Sequence, residues 1–391
     1  MKFFIFMVLL FSFGFAKSLE QLVDTALKNK PSLVSINERI NANKSNIKLA
    51  NEFENPELTY TQNTIDSDEA MSQKTVTLKQ KLPYFGKRES LKNISVSQEA
   101  VLFKSLDIAK VELVKSIKKQ AYVVWETQEL LDTLQRYQEL TQQNIELYES
   151  YSSTSQNKHM GIMSSELTLS ELHIKKSELE SKLNIAYAQL SYLCAFEVKE
   201  LDIELFIKDK PNKENLKAKL QNNQNIKLSQ ERVKYQKAVV DSVSLEDYPD
   251  VNLIGGYSHR ENFDSYWTFG VGVSLPLYST TEHKTQKARK LTLSAQSEQE
   301  DVELLVESKF ESAYEKMSSA YNIYKIINEE SLAQINHMIE LTNSSISTGA
   351  DLFMYNDILI KKLKLEQRSI SAISSFHKAM ADVQALNGDL K

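Results

Sequence analysis

The placement of proline constrains this chain more than any other feature, because it is laid down twice. Among the six prolines, Pro56 and Pro83 stand 27 residues apart, and so do Pro249 and Pro276. One shift of 193 carries 56 onto 249 and 83 onto 276. The same shift carries Leu27 onto Leu220, Asn29 onto Asn222, Glu38-Arg39 onto Glu231-Arg232, Ile40 onto Val233 and Lys44 onto Lys237. Proline is confined to turns and element ends, so a chain that repeats its breakers repeats its supersecondary unit. The reading is a duplicated helix–strand–strand–helix unit, 17–207 and then 208–391, the two copies intertwined in one structural domain.

What lies between the breakers is helical. Glycine numbers only 9 in 391 residues, well under the roughly 7% of ordinary domains. The gaps are long runs of Lys, Glu, Gln, Ser and Leu, which favour helix by propensity and by the lack of breakers. The expected helices are 19–52, 84–157, 164–197, 212–247, 277–346 and 352–387, with turns around Gly161 and Gly349. Two of these are near 70 residues and four near 35, so two short helices end to end match one long one. At 1.5 Å per residue a 70-residue helix is roughly 105 Å long. Phe310, Ala313, Met317, Ala320, Tyr324 and Ile327 step by 3 and 4, and Ile117, Val124 and Leu131 step by 7, which is coiled-coil packing. Toward the helix tips the copies align at a shift of 186, with Glu171-Leu172-His173-Ile174-Lys175-Lys176 over Asp357-Ile358-Leu359-Ile360-Lys361-Lys362. The two shifts differ by seven residues, one heptad, which shortens a coiled coil and keeps its packed face in phase.

The segments beside the proline pairs alternate with period 2. Leu58 and Tyr60 alternate with Thr59 and Thr61, and Val76 and Leu78 with Thr75, Thr77 and Lys79. Val251, Leu253 and Tyr257 alternate with Asn252 and Gly256, and Trp267, Phe269, Val271 and Val273 with Thr268, Gly270 and Gly272. Such strands carry one apolar, aromatic face and one small, polar face, and at about 8–10 residues they are long enough to cross a bilayer when tilted. The apolar set is therefore expected to face lipid. Four strands cannot close a barrel, and each open edge in lipid would leave backbone groups unsatisfied at several kcal/mol apiece. A barrel would have to be shared between chains. Eight strands would be filled by their own side chains, so a conduit favours three chains and twelve strands.

The N-terminus reads as a secretory leader, 1–16: Lys2, an apolar run Phe3–Phe13, then Gly14 and Ala16 as the small residues before a cleavage point. The single cysteine, Cys194, lies among Tyr192, Leu193 and Phe196 and reads as a buried thiol; with none at the leader junction, lipid acylation there is excluded. A net charge of −5 without a basic stripe argues against nucleic acid. The six histidines are scattered and no phosphate-binding loop is present, so no catalytic residues, metal site or cofactor is expected. The nearest approach to a soft-metal cluster, His159-Met160-Gly161-Ile162-Met163, reads as a tip whose methionines contact a partner.

These features resemble the TolC family of outer-membrane efflux proteins over essentially the whole mature chain. The residues that carry the resemblance are Ala26-Leu27-Lys28-Asn29-Lys30-Pro31, Asn55-Pro56-Glu57-Leu58 and Leu82-Pro83-Tyr84-Phe85-Gly86-Lys87-Arg88, in that order and within the duplicated plan. The Pro-x-x-Gly-Lys-Arg stretch is similar to that of cation-exporting members. The resemblance implies a mainly α fold with a small β part: a homotrimer whose long coiled-coil α-barrel is continuous with a 12-stranded β-barrel, four strands per chain. It implies a passive exit duct in the outer membrane of a Gram-negative bacterium, extending into the periplasm. Its partners would be outer-membrane lipid, a periplasmic adaptor protein and an inner-membrane efflux transporter, and its cargo metal ions or small toxic compounds. A type I protein secretion duct is the related alternative. A periplasmic coiled-coil adaptor outside the membrane is the unrelated one, but it calls for one helical hairpin and a large separate β domain. By the same resemblance, Asp357-Ile358-Leu359 makes Asp357 the first candidate for a gate carboxylate, although Ile360 stands where the family often has a second aspartate. Asp351, Glu166 and Glu171 are further gate candidates.

Overall fold

A computed structural model describes residues 18–63, 72–150, 156–346 and 352–389. The leader at 1–16, Gly349 and Asp351 lie outside the described residues. The elements run α1 (Leu19–Asn29), α2 (Pro31–Leu49), β1 (Glu57–Gln62), β2 (Gln73–Leu82), α3 (Lys87–Ser150), α4 (Gln156–Cys194), α5 (Lys213–Lys217), α6 (Gln224–Ser244), β3 (Val251–Arg260), β4 (Tyr266–Val273), α7 (Thr280–Lys325), α8 (Leu332–Ile346) and α9 (Leu352–Leu386). The described residues are thus mainly α, with one four-stranded antiparallel sheet among them.

Four helix expectations are corrected, each for a local reason. The run 19–52 is two helices. Lys30 is extended at φ −64° and ψ 118°, as the ring of a following proline requires, and Pro31 opens α2 where its missing N–H costs nothing. Gly161 does not mark a turn, because it lies inside α4; one glycine weakens a helix by only about 1 kcal/mol relative to alanine. The run 212–247 is broken into α5, a 3-10 segment Ala218–Asn222 and α6. At the break Asn223 is buried and its Nδ2 donates to the Leu386 carbonyl at 2.7 Å. The run 277–346 is interrupted by a π segment, Ile326–Ser331, which joins α7 to α8. There Asn328 Nδ2 donates to the Tyr324 carbonyl at 2.8 Å and to Ser369 Oγ of α9 at 2.9 Å.

The described residues form two compact units, each drawing on both sequence repeats. The first comprises Val34–Ile108 and Gln224–Leu305 and holds the sheet. Its strands lie in the order β1-β2-β3-β4, so the copies meet where β2 pairs with β3, from Gln73↔Arg260 to Leu82↔Val251. Beside the sheet, Asn43 Nδ2 of α2 donates to the Ser95 carbonyl of α3 at 2.8 Å, and Ser90 and Ser242 share a hydrogen bond of 3.0 Å.

The second unit takes the residues up to Leu33, Ala109–Asn223 and those from Val306 onward. Its core follows the heptads: Phe310, Ala313, Met317, Ala320, Ile327, Ile117 and Val124 are buried, while Tyr324 and Leu131 are half-buried. Leu134, Tyr137, Leu172, Leu179, Leu359 and Leu363 form a cluster that joins α3, α4 and α9. Helix α1 starts with a capping box, in which Ser18 Oγ accepts from Gln21 N and Gln21 Oε1 accepts from Ser18 N. It docks on α4, where Lys30 Nζ donates to the Tyr192 carbonyl and lies 3.8 Å from the centre of its ring. Cys194 is fully buried at the end of α4.

Candidate functional site

Cross-strand partners in an antiparallel sheet share a face, so the register sorts every strand residue. Tyr60, Val76, Tyr257 and Trp267 form one row across the four strands. Leu58, Leu78, Gly255 and Phe269 form the next, followed by Gln80, Leu253 and Val271, and then by Leu82, Val251 and Val273. All eleven side chains expected to face lipid therefore lie on one face. Ten of them are exposed, with Phe269 at 82% and Leu58 at 71%, and Val251 is half-buried. Aromatic rings cluster toward the hairpin ends: Tyr257 and Trp267 centroids are 5.1 Å apart, and Trp267 and Phe269 centroids 6.5 Å.

The opposite face is polar. Thr75 and Ser258 share a hydrogen bond of 2.9 Å, and Gln73 Nε2 donates to Ser258 Oγ and Tyr266 Oη, each at 3.1 Å. Lys79 faces Glu57 at 3.7 Å and Lys81 pairs with Glu54 at 2.8 Å. Thr268 is on this face, paired with Gly256. The strands β1 and β4 are the two edges of the sheet.

Where the sheet meets the helices, one residue that the sequence reading passed over ties the copies together. Asp250, just before β3, accepts from the Tyr84 backbone N–H at 2.9 Å and from Lys87 Nζ at 2.7 Å. Lys87 also donates to the Tyr248 carbonyl at 2.7 Å, and the Tyr84 and Tyr248 rings stack at 4.3 Å. Partial burial pushes the Asp250 carboxyl up, but donation from Lys87 and Tyr84 outweighs it and holds the group below its usual range. The loop reaches this geometry through Gly86 at φ +95°, a conformation that favours glycine. The shift of 193 carries Glu57 onto Asp250, but Glu57 faces Lys79 within the sheet, so the repeat alone does not reveal the clasp.

The gate candidates that are described all lie in the helical unit. Asp357, near the start of α9, is exposed and paired with Lys361 Nζ at 2.6 Å, one turn along. Lys362 turns instead toward Glu366, at 3.9 Å. Glu166 and Glu171 are exposed on α4. The helices are tied nearby by Asn356 Nδ2 of α9 and Thr168 Oγ1 of α4, at 3.5 Å. Among the described residues no helix is long and apolar enough to cross a membrane, and no group of three or more His, Cys, Asp or Glu could hold a metal ion.

No family model and no curated relative matches this sequence. Solved structures do match the fold. The Neisseria gonorrhoeae MtrE outer membrane channel, in its open state, superposes with a TM-score of 0.81 at 14% identity, covering 95% of this chain and 89% of that one. The outer membrane protein VceC of Vibrio cholerae gives 0.77 at 15% identity, covering 95% and 97%. The Campylobacter jejuni CmeC outer membrane channel gives 0.77 at 12% identity, covering 95% and 85%. These neighbours are TolC-family outer membrane channels, and at such identities what the chain shares with them is the fold.

Proposed function

We propose that this chain, which has the fold of the TolC-family outer membrane channels, is the passive exit duct of a tripartite efflux pump in the outer membrane of a Gram-negative bacterium, reaching into the periplasm. The observation that carries this reading is the sheet: one face is apolar, aromatic and exposed, the other is polar and hydrogen-bonded, and β1 and β4 are its edges. Such a sheet is stable in lipid only when its edges are paired. Three copies supply twelve strands, enough to enclose a polar bore. A periplasmic adaptor outside the membrane would have no use for that exposed apolar face. The energy for transport comes from an inner-membrane transporter coupled through a periplasmic adaptor. The cargo is metal ions or small toxic compounds.

Membrane fractionation and native mass measurement test this. A trimer in the outer membrane is expected, and recovery as a soluble monomer would sink the idea. Within the sheet, Phe269→Arg places a cation against lipid at a cost of about 2–4 kcal/mol near mid-membrane, whereas Thr268→Arg points into the bore and is milder. Equal assembly defects would overturn the assignment of faces.

A further inference from the structure

The most exposed of the described side chains of helix α9 fall on one line. Among its described side chains the exposed ones are Met354, Asp357, Lys361, Lys364, Arg368 and Ser375, spaced 3, 4, 3, 4 and 7, a single heptad face. Its other described side chains are buried or half-buried within the chain. Leu359 and Leu363 lie in the cluster with Leu134 and Leu172, and Ser369 is held by Asn328.

This open face carries an excess of positive charge. Asp357 is neutralised by Lys361 at 2.6 Å, and among the described residues neither Lys364 nor Arg368 has an acidic partner. Between Asp357 and Arg368 the face bears three cations against one carboxylate. It borders an open groove of about 680 Å³ against Ile335 of α8, lined by Lys361, Lys364, Arg368 and Ser371. A second groove, of about 1120 Å³, shares Arg368 and Ser371, but its further charges largely balance: Lys119 is paired with Asp382 and Lys378 with Glu126, and Lys316 is accompanied by Glu315.

The excess belongs to one copy. The shift of 186 carries Glu171, Lys175, Glu178 and Lys182 of α4 onto Asp357, Lys361, Lys364 and Arg368. On α4 the four charges balance, and Lys175 pairs with Glu178 at 2.8 Å. On α9 the position of Glu178 is taken by Lys364.

We propose that this face of α9 lines the duct and makes it select anions, so that the cargo is a small molecule bearing carboxylate, sulfonate or phosphate charge and not a metal cation. The inference rests on the exit-duct reading above. Three chains around one bore present three copies of the face, and rings of Lys and Arg side chains favour anion passage. In 0.1 M salt such charges act over roughly 10 Å, so they are felt only in a narrow bore.

The test uses the full-length chain in planar bilayers under a potassium chloride gradient. The wild type is expected to show a reversal potential on the chloride side. The double variant Lys364→Glu/Arg368→Glu should move it to the potassium side, and Lys364→Gln/Arg368→Gln should bring it near zero. Glu178→Lys, the mirror change on α4, should move it much less. A reversal potential unaltered in both double variants, a potassium-selective wild type, or an equal shift from Glu178→Lys would overturn the inference and leave the duct standing. If no form conducts, the duct reading itself fails, and the inference with it.

Discussion

Helices α4 and α9 occupy the same place in the two copies, yet α4 shows solvent an apolar stripe beside a balanced line of charge, where α9 shows a line of mostly positive charge. Met160, Met163, Leu167 and Ile174 of α4 are each more than 60% exposed, whereas α9 exposes Asp357, Lys361, Lys364 and Arg368. Their anchoring differs as well. Helix α9 is held to α3 by ions: Lys378 Nζ meets Glu126 Oε2 at 2.7 Å, Ser371 Oγ donates to Glu126 Oε1 at 3.0 Å, and Lys119 meets Asp382 at 2.9 Å. Helix α4 is held to α3 by neutral bonds, with Gln120 donating to the Ala186 carbonyl and Gln128 to Tyr187 Oη, each at 3.1 Å. The core position is kept: Leu172 and Ile358, related by the shift of 186, are both buried. A duplicated unit can diverge on an open face because surface substitutions cost little, while its core is held by packing. The difference between the copies is therefore the place to look for specialisation.

The largest expected effect comes from the ionic anchor. Lys378→Ala leaves the Glu126 carboxylate largely buried without its cation and should cost about 3–5 kcal/mol, read from the denaturant midpoint in detergent. The exposed Lys175→Ala on α4 should stay within about 0.5 kcal/mol. Similar losses from the two would break the contrast in anchoring. Next come the shared core positions. Ile358→Ala and Leu172→Ala should each cost about 2–5 kcal/mol and should resemble one another, since packing is what the copies retain. If one were neutral, the shift of 186 would not relate equivalent positions.

Acid should sharpen the same contrast. Burial pushes the Glu126 carboxyl up, but hydrogen bonding and charge from Lys378, with Ser374 and Ser371, hold it on balance below its ordinary value of 4.5. A depressed folded-state value stabilises the fold above the unfolded value, and that contribution is lost as pH falls through the folded one. The wild type should therefore lose stability as pH drops below about 4.5. In Lys378→Ala the loss over the same interval should shrink or reverse, because burial then acts on Glu126 unopposed. A denaturant midpoint with the same acid slope in both proteins would show that the pair is not what holds α9.

The smallest effect on stability falls on the open faces, where conduction is the sensitive measure. Asp357→Ala should raise single-channel conductance and weaken block by divalent cations with stability nearly unchanged. Glu171→Ala, its counterpart on α4, should do less. Unaltered conductance and block in Asp357→Ala would mean that this carboxylate faces away from the bore.

Much of this was legible in the residues. Period-2 alternation placed all eleven apolar strand side chains on one face, because alternation is a property of the pleat alone. The shortage of glycine and proline placed the helices. Pro31 was a break in plain view, hidden only by the helical residues on either side. The π segment at Ile326–Ser331 and the break at Asn223 were not legible, since each depends on an amide that reaches a distant partner, Ser369 or Leu386. The Asp250 clasp needed the neighbourhood of Lys87, 163 residues away in sequence.

The sequence by itself determined the duplication, the helix and strand content, and which residues share a face. Breakers act where they stand, and periodicity is fixed by the geometry of a single element. Only the tertiary structure decided which of those faces stays open. A heptad pattern says that Asp357, Lys361, Lys364 and Arg368 lie in line, but exposure depends on whether another helix covers the line. In α9 the helices around it bury the leucine side and leave the lysine side bare.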